Sequence, residues 1–599
     1  MLKFWRRRHE PASPAWPAPG PAPEQLSQWS QALLAGTSLS EVQEGLATAL
    51  QTWPTHGDLL MLHGRALRLQ GNPAQALQQL EQSLAETSHP GEVQTEIALC
   101  HLATHQLALA LDCLQVAVTL QPKLGLSWLL LGDVLVRFDR FTEARDAFAQ
   151  AVPLFDDDPL HSHALLRWAQ ALTKTGDAEQ SKAAFRACLD QTPDNLDAVL
   201  GLGHAELWLD NEPAAAAHFE AALARIDRPP RELLVNYGSA LQSCGRYDEA
   251  RQVFARVVTE HPTDFVSQWY LCQLDLALCR WPEGWSRYGS RFTSGALPYR
   301  PMPFRRWDGT AQPDTTLLVL ADEGLGDEIM YASCFAETAG RVGKVIVECE
   351  PRLHTLLARS FPQISFVPTR RENSLSWLEG LGQPDWQIPS GDLPVLFRRS
   401  DDTFPQHAGY LRADPDRVQH WKQRLAAELG AGLKVGLSWR GGTVRTRTRA
   451  RSLDPGLLEP ILAIPGVSFV NLQYGDYQAE LDILNACFGT AIRDYPEVVA
   501  SYDETAALVS ALDVVVTVCT SIVHLAGGLN VPTWILTPLA PGWRYTAHRD
   551  SMPWYPSTRI FRQQTWGEWQ PPCQNLAHAL TELTICGDPS PAVCDISPR

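Results

Sequence analysis

Small residues recur in register along the first half of the chain. Gly64, Ala98 and Gly132 stand 34 residues apart, Ala169 and Gly203 are again 34 apart, and Gly238 and Cys272 continue the series. Twelve positions after each comes a second small residue: Ala76, Ala110, Ala144, Ser181, Ala215, Ala250 and Gly284. Four further on comes a large apolar one: Leu80, Leu114, Phe148, Phe185, Phe219, Phe254 and Tyr288. Pro122, Pro193 and Pro262 close several of the units. The small residues let two helices cross closely, the large one fills the groove between neighbours, and proline stops the second helix. A chain written this way cannot bury its apolar faces unit by unit. Neighbours must stack, which gives a quasi-linear array with a concave surface.

The pattern resembles the tetratricopeptide repeat, with about seven units over residues 57–290 and a degenerate capping unit over 25–56. The resemblance implies an α-solenoid over 25–290 whose concave face holds a polypeptide; the competing reading is a scaffold or dimerisation element. Inward positions include Asp58, Arg65, Glu92, Asp133, Ser239 and Gln273, a mixed and mildly acidic set. They lack the repeated asparagines that grip peptide backbones in the O-GlcNAc transferase array.

The totals narrow the class. At 599 residues the chain exceeds one core, so several domains are expected. A formal net charge of -17 argues against a nucleic-acid or membrane-surface binder. The 13 cysteines include no C-x-x-C pair, which suggests neither a zinc site nor a disulfide framework and fits a reducing, cytoplasmic setting. No apolar run reaches membrane-span length, so no transmembrane segment is expected. Residues 1–24 are basic, then rich in Pro and Ala, and read as a disordered lead-in.

Beyond a connector over 291–314 the pattern changes to alternating strands and helices. A first lobe over 315–414 has strands expected at 317–321, 345–349 and 364–368, with helices at 328–340 and 351–360. An apolar run near 393–399 adds a strand or joins the lobes. A second lobe over 415–585 has strands expected at 435–439, 468–473, 513–518 and 533–537, and a tail follows over 586–599. Such alternation implies parallel sheets with right-handed crossovers, and ligands bind at the carboxyl ends of such strands. The first strand runs into a glycine-punctuated turn, Asp322-Glu323-Gly324-Leu325-Gly326-Asp327, whose helix N-terminus points into the turn.

Four motifs in this order resemble a known family: EGLGDEIMYAS (323–333), VGLSWRGG (435–442), VCTSIVHLAGGLNVPTWIL (518–536) and WRYTAHRDSMPWYPSTRIFRQ (543–563). They are similar to the bacterial heptosyltransferases, and to bacterial proteins joining such a domain to tetratricopeptide repeats. The resemblance implies an α plus α/β chain whose second half is a two-lobed GT-B glycosyltransferase made of two Rossmann-like lobes. The first lobe would face the acceptor and the second the nucleotide-sugar. It implies metal-independent transfer of a sugar from a nucleotide-sugar co-substrate, with no other cofactor, onto a protein Ser or Thr; some proteins of this kind glycosylate flagellin. Alternatives are a transferase acting on a glycan or lipid, with repeats for assembly, and a non-catalytic scaffold that keeps the fold.

Such transfer needs a base for the acceptor hydroxyl and positive charge for the departing phosphate. Asp327 matches the family's catalytic aspartate, although an aspartate there also suits a helix cap; Glu323 is the reserve. For the donor, Ser438, Arg440, Gly441 and Arg451 are chosen from a segment that also carries Arg445, Arg447 and Arg449. Thr520 and Ser521 open a helix able to meet a diphosphate, and His524 lies one turn on. Gln473 and Tyr474 should border the base or ribose. Cys519 stands where the family has an aspartate that helps hold the heptose, which argues against heptose as the sugar. Trp543, Arg544, Trp554 and Tyr555 are read as cleft walls or packing. No metal is implied, because Asp414-x-Asp416 looks like a helix cap.

Overall fold

The computed structural model describes residues 20–586 apart from 157, 370, 372–373, 405, 407, 443–448, 490–491 and 500. Arg445, Arg447, most of the lead-in and the tail from 587 therefore lie outside the described residues. The first helix, Pro23–Ala35, begins within the stretch read as lead-in. Among the described residues no helix is long and apolar enough to cross a membrane. The chain divides into two compact units after Asn211, so the division falls inside the repeat array.

The first unit is built of helix pairs, from Pro23–Ala35 with Leu39–Thr52 to His161–Thr175 with Ala178–Gln191, followed by Leu196–Trp208. Its glycines explain the spacing. A Cβ on Gly132 would lie 2.4 Å from the fully buried Phe148 ring, and one on Gly64 2.7 Å from Leu80. Glycine thus lets the large residue of the second helix rest on the backbone of the first. Successive repeats are tied by ion pairs, Arg65 to Glu96 at 2.7 Å and Arg167 to Asp133 at 2.6 Å. Arg65 and Asp133, both expected at inward positions, are thereby engaged between repeats.

In the second unit the helices Glu212–Leu223, Arg231–Ser243, Tyr247–Glu260, Phe265–Ala277 and Trp281–Arg287 complete the array. Two parallel five-stranded sheets follow. The first has β1 (Arg305–Arg306), β2 (Gln312–Leu320), β3 (Val342–Cys349), β4 (Ser365–Pro368) and β5 (Trp386–Pro389), in the order β1-β5-β2-β3-β4. The second has β6 (Leu433–Ser438), β7 (Val467–Asn471), β8 (Val514–Val518), β9 (Thr533–Thr537) and β10 (Thr558–Arg562), in the order β10-β9-β8-β6-β7. Every residue of β8 and β9 is buried, as expected of parallel strands covered on both faces by helices. This is α/β architecture.

The run near 393–399 is the short helix Leu393–Phe397, not a strand, and Pro394 sits in its first turn, where a missing N–H costs nothing. The fifth strand of that sheet is β5, just before it. The helix expected over 328–340 starts earlier and breaks in two, Leu325–Ala332 and Phe335–Ala339. β10 and the closing helix Gln570–Cys586 were not anticipated.

The last repeat is sewn into the α/β part. Trp281 Nε1 donates to Asp401 at 2.8 Å and Trp285 Nε1 to the Arg398 carbonyl at 2.6 Å. Trp285 meets Trp543 edge to face, with centroids 5.7 Å apart. Arg291, with 0% of its side chain exposed, pairs with Asp322 at 2.7 Å and Asp392 at 2.9 Å. The segment that reads as a free connector thus begins with one of the most buried side chains of the molecule.

Candidate functional site

A cavity of about 980 Å³ opens at the carboxyl ends of the strands. Its walls are the segments following β2, β3, β6, β7, β8 and β9, together with Ser239 and Gln242 of helix Arg231–Ser243 and Tyr270 and Gln273 of helix Phe265–Ala277. Two helix N-termini meet there, Leu325–Ala332 after β2 and Ser521–Gly528 after β8. They come so close that a Cβ on Gly326 would lie 2.9 Å from the His524 ring. This approach requires glycine at 326.

Asp327 lies in the first turn of its helix, and Oδ2 accepts the Gly324 N–H at 3.1 Å. Its other oxygen, Oδ1, accepts from Arg544 Nε, while Arg544 Nη2 donates to Glu323 Oε2 at 2.6 Å. Arg544 comes from the turn Trp543–Tyr545 after β9, so its guanidinium bridges from the second sheet's loops to the first sheet's turn. Glu323 also accepts the Tyr288 hydroxyl, which meets the Tyr331 hydroxyl at 2.7 Å. Burial, with the Asp327 and Asp322 charges added, pushes Glu323 up to about 7 against the pull of Arg544 and Arg291. His524 Nδ1 lies 3.0 Å from the Tyr555 hydroxyl, and burial holds its imidazole down at about 4.

The cavity gathers Asp327, Arg451, Tyr474, Thr520, Ser521 and His524. Thr520 is the cap of its helix, its hydroxyl accepting the Ile522 N–H at 3.3 Å. Four other expected donor contacts are turned elsewhere. Gln473 is buried, and its Oε1 accepts from Ser438 Oγ at 3.2 Å, Trp439 N at 3.1 Å and Arg440 N at 2.8 Å. Its Nε2 donates to the Arg440 carbonyl at 3.0 Å. Gln473 and Ser438 therefore brace the loop after β6 rather than line the cavity. The Arg440 guanidinium bonds the Asp476 carbonyl and lies 3.2 Å from Glu480. Gly441 lets its loop approach the helix start, since a Cβ would be 2.9 Å from Thr520 Cγ2. Glu323 sits behind Asp327, outside the lining. Cys519 is buried, and burial raises its thiol above the ordinary value.

Asp414 caps helix Pro415–Leu429, accepting the Asp416 and Arg417 amides at 3.0 and 3.1 Å. Among the described residues, no three or more His, Cys, Asp or Glu side chains gather as a metal site. The residue that sequence reasoning undervalued is Arg544. Its one local signal is a lone arginine between aromatics after a buried strand.

A family model of the tetratricopeptide repeat matches residues 61–125, 95–159, 166–230 and 211–265. Protein FlbA of Caulobacter vibrioides is 30% identical over 514 residues, covering 77% of this chain and 85% of FlbA. The chain belongs to the FlbA family. An alignment of 514 residues is far longer than the repeat array, so the likeness to FlbA continues into the α/β region. Among solved structures, a tetratricopeptide repeat protein from Parabacteroides merdae is 17% identical, with 41% of this chain and 96% of that one covered and a TM-score of 0.27. The C-terminal part of a repeat protein from Cytophaga hutchinsonii is 12% identical, with 40% and 97% covered and a TM-score of 0.33. Scores this low bear on neither the α/β region nor the cavity.

Proposed function

We propose that this FlbA-family chain is a glycosyltransferase of the GT-B type. It would move a sugar from a nucleotide-activated donor to a Ser or Thr hydroxyl of a protein acceptor held by the repeats, in the cytoplasm. The observation that carries the reading is one shared cavity, with Asp327 on the first sheet's side and Arg451 and the Ser521–Gly528 helix start on the second's. In the reaction, Asp327 takes the proton of the acceptor hydroxyl. The freed oxygen attacks the anomeric carbon. The bond from that carbon to the phosphate oxygen breaks, and its electron pair leaves with the nucleotide. Arg451 and the backbone N–H groups at the helix start receive the charge of the departing phosphate. Ser239, Gln242 and Gln273 offer polar contacts to an acceptor beside the site.

The test is a panel of nucleotide-sugars and nucleotides read by thermal shift and by transfer to protein. A ligand that binds only the folded chain raises its melting temperature. The matching nucleotide is expected to stabilise both the wild type and Asp327→Asn, with transfer reduced about 100-fold or more in the variant. Wild-type turnover by Asp327→Asn removes it as the base. A chain that no nucleotide stabilises is not this enzyme.

A further inference from the structure

We propose that Arg544 joins Arg451 in receiving the donor's phosphate, and that before a phosphate binds it covers Asp327. The proposal rests on the glycosyltransferase reading only for a phosphate-bearing donor. Asp327 has one oxygen committed to its own helix, through the Gly324 N–H. The oxygen left for an acceptor hydroxyl is the one that Arg544 Nε covers. Both carboxylate oxygens are thus engaged, one of them by a guanidinium. An acceptor hydroxyl must therefore displace Arg544 to reach Asp327 Oδ1.

Arg544 is placed to be drawn off. It lines the cavity, and one fifth of its side chain is exposed. Its guanidinium lies 4.7 Å from the Trp543 ring centroid, a face along which it can turn without losing that contact. Arg451 approaches the same loop, its Nη2 3.6 Å from where a Gly542 Cβ would be. A phosphate between the two would meet two guanidiniums, and it carries more charge and more acceptor oxygens than one carboxylate. Glu323 can release Arg544 because the Tyr288 hydroxyl stays bonded to it and Arg291 remains 3.7 Å away. Loading the donor then frees Asp327. The order of events is built in: Asp327 Oδ1 opens to the acceptor hydroxyl only after the leaving group is held.

The carboxylates and the phosphate compete for one guanidinium, so removing a carboxylate should tighten phosphate binding. The probe is inorganic pyrophosphate, titrated calorimetrically into the full chain at pH 7. Arg544→Gln is expected to weaken binding at least tenfold, and Arg544→Lys by less. Asp327→Asn is expected to tighten it at least threefold. In the Arg544→Gln background the Asp327→Asn change should give less than twofold, which separates release of Arg544 from simple loss of a nearby negative charge. Glu323→Gln removes the other anchor and is expected to tighten binding in the same way, should Asp327→Asn fold poorly. Arg544→Gln binding within twofold of wild type overturns the proposal, as does tightening that survives without Arg544. If wild type binds neither pyrophosphate nor any nucleoside diphosphate, the donor reading itself fails, a result distinct from the other two.

Discussion

Glu323 and His524 titrate in opposite senses, and the sign of each follows from its surroundings. Glu323 is held at about 7, above its ordinary 4.5. Between those values the folded chain keeps a proton that the unfolded chain has released, so this group's contribution to stability falls as pH rises from about 4.5 to 7. His524 is held at about 4, below its ordinary 6.5. There the unfolded chain binds the proton first, so its contribution rises as pH rises from about 4 to 6.5. Denaturant midpoints measured across this range should show Glu323→Gln gaining on the wild type up to about pH 7. His524→Gln should lose ground to the wild type up to about pH 6.5. A parallel profile for either variant contradicts the assigned environment. Asp327 was legible at this scale because its turn is a local pattern. Arg544 was not, because its two partners stand 217 and 221 positions upstream and no window of sequence joins them. Gln473 and Ser438 misled for the opposite reason. A polar residue at a strand's carboxyl end reads as ligand-facing, yet Gln473 spends its amide on the chain itself.

Elements meet where side chains are missing. Gly326 is a point of close approach between helices Leu325–Ala332 and Ser521–Gly528, and a methyl there would press on the His524 ring. Gly326→Ala is expected to cost about 1–3 kcal/mol in chemical denaturation, the usual range for overpacking. The cost should shrink in a His524→Ala background, and equal costs in both would place the clash elsewhere. In the solenoid the same logic runs through Gly132 and Phe148. Phe148→Ala opens a hole at a fully buried position and should destabilise the first unit by about 3–5 kcal/mol. These periodic contacts are what made the repeats readable, because each unit writes the same small and large residues at the same offsets. The sheets were readable where a strand is a long apolar run, as in β8. They were not at β5, four residues ending in proline, nor at Leu393–Phe397, where an apolar run with proline inside it is a helix.

For the whole molecule, the useful boundary is not where the repeats end. The compact units divide after Asn211, and the later repeats belong with the sheets. A chain of residues 212–599 should therefore unfold cooperatively and keep pyrophosphate binding. A chain of 315–599, cut at the expected lobe boundary, should not. It would lose Trp281, Trp285 and Tyr288 from their aromatic contacts, and it would leave Asp322 and Asp392 buried without Arg291. Stripping the cation from such buried carboxylates costs about 3–5 kcal/mol. Circular dichroism melts of the two fragments decide between these outcomes. In the full chain, two units of this size should melt in more than one step by calorimetry.

The burial of Arg291 also bears on how such a protein could be recombined. A foreign array swapped onto this α/β half must be spliced before Glu212, because the helices from there to Trp281–Arg287 either wall the cavity or pack into the sheets' interior. Chimeras joined there would inherit a working cleft with new upstream repeats, whereas those joined inside the apparent linker would inherit neither.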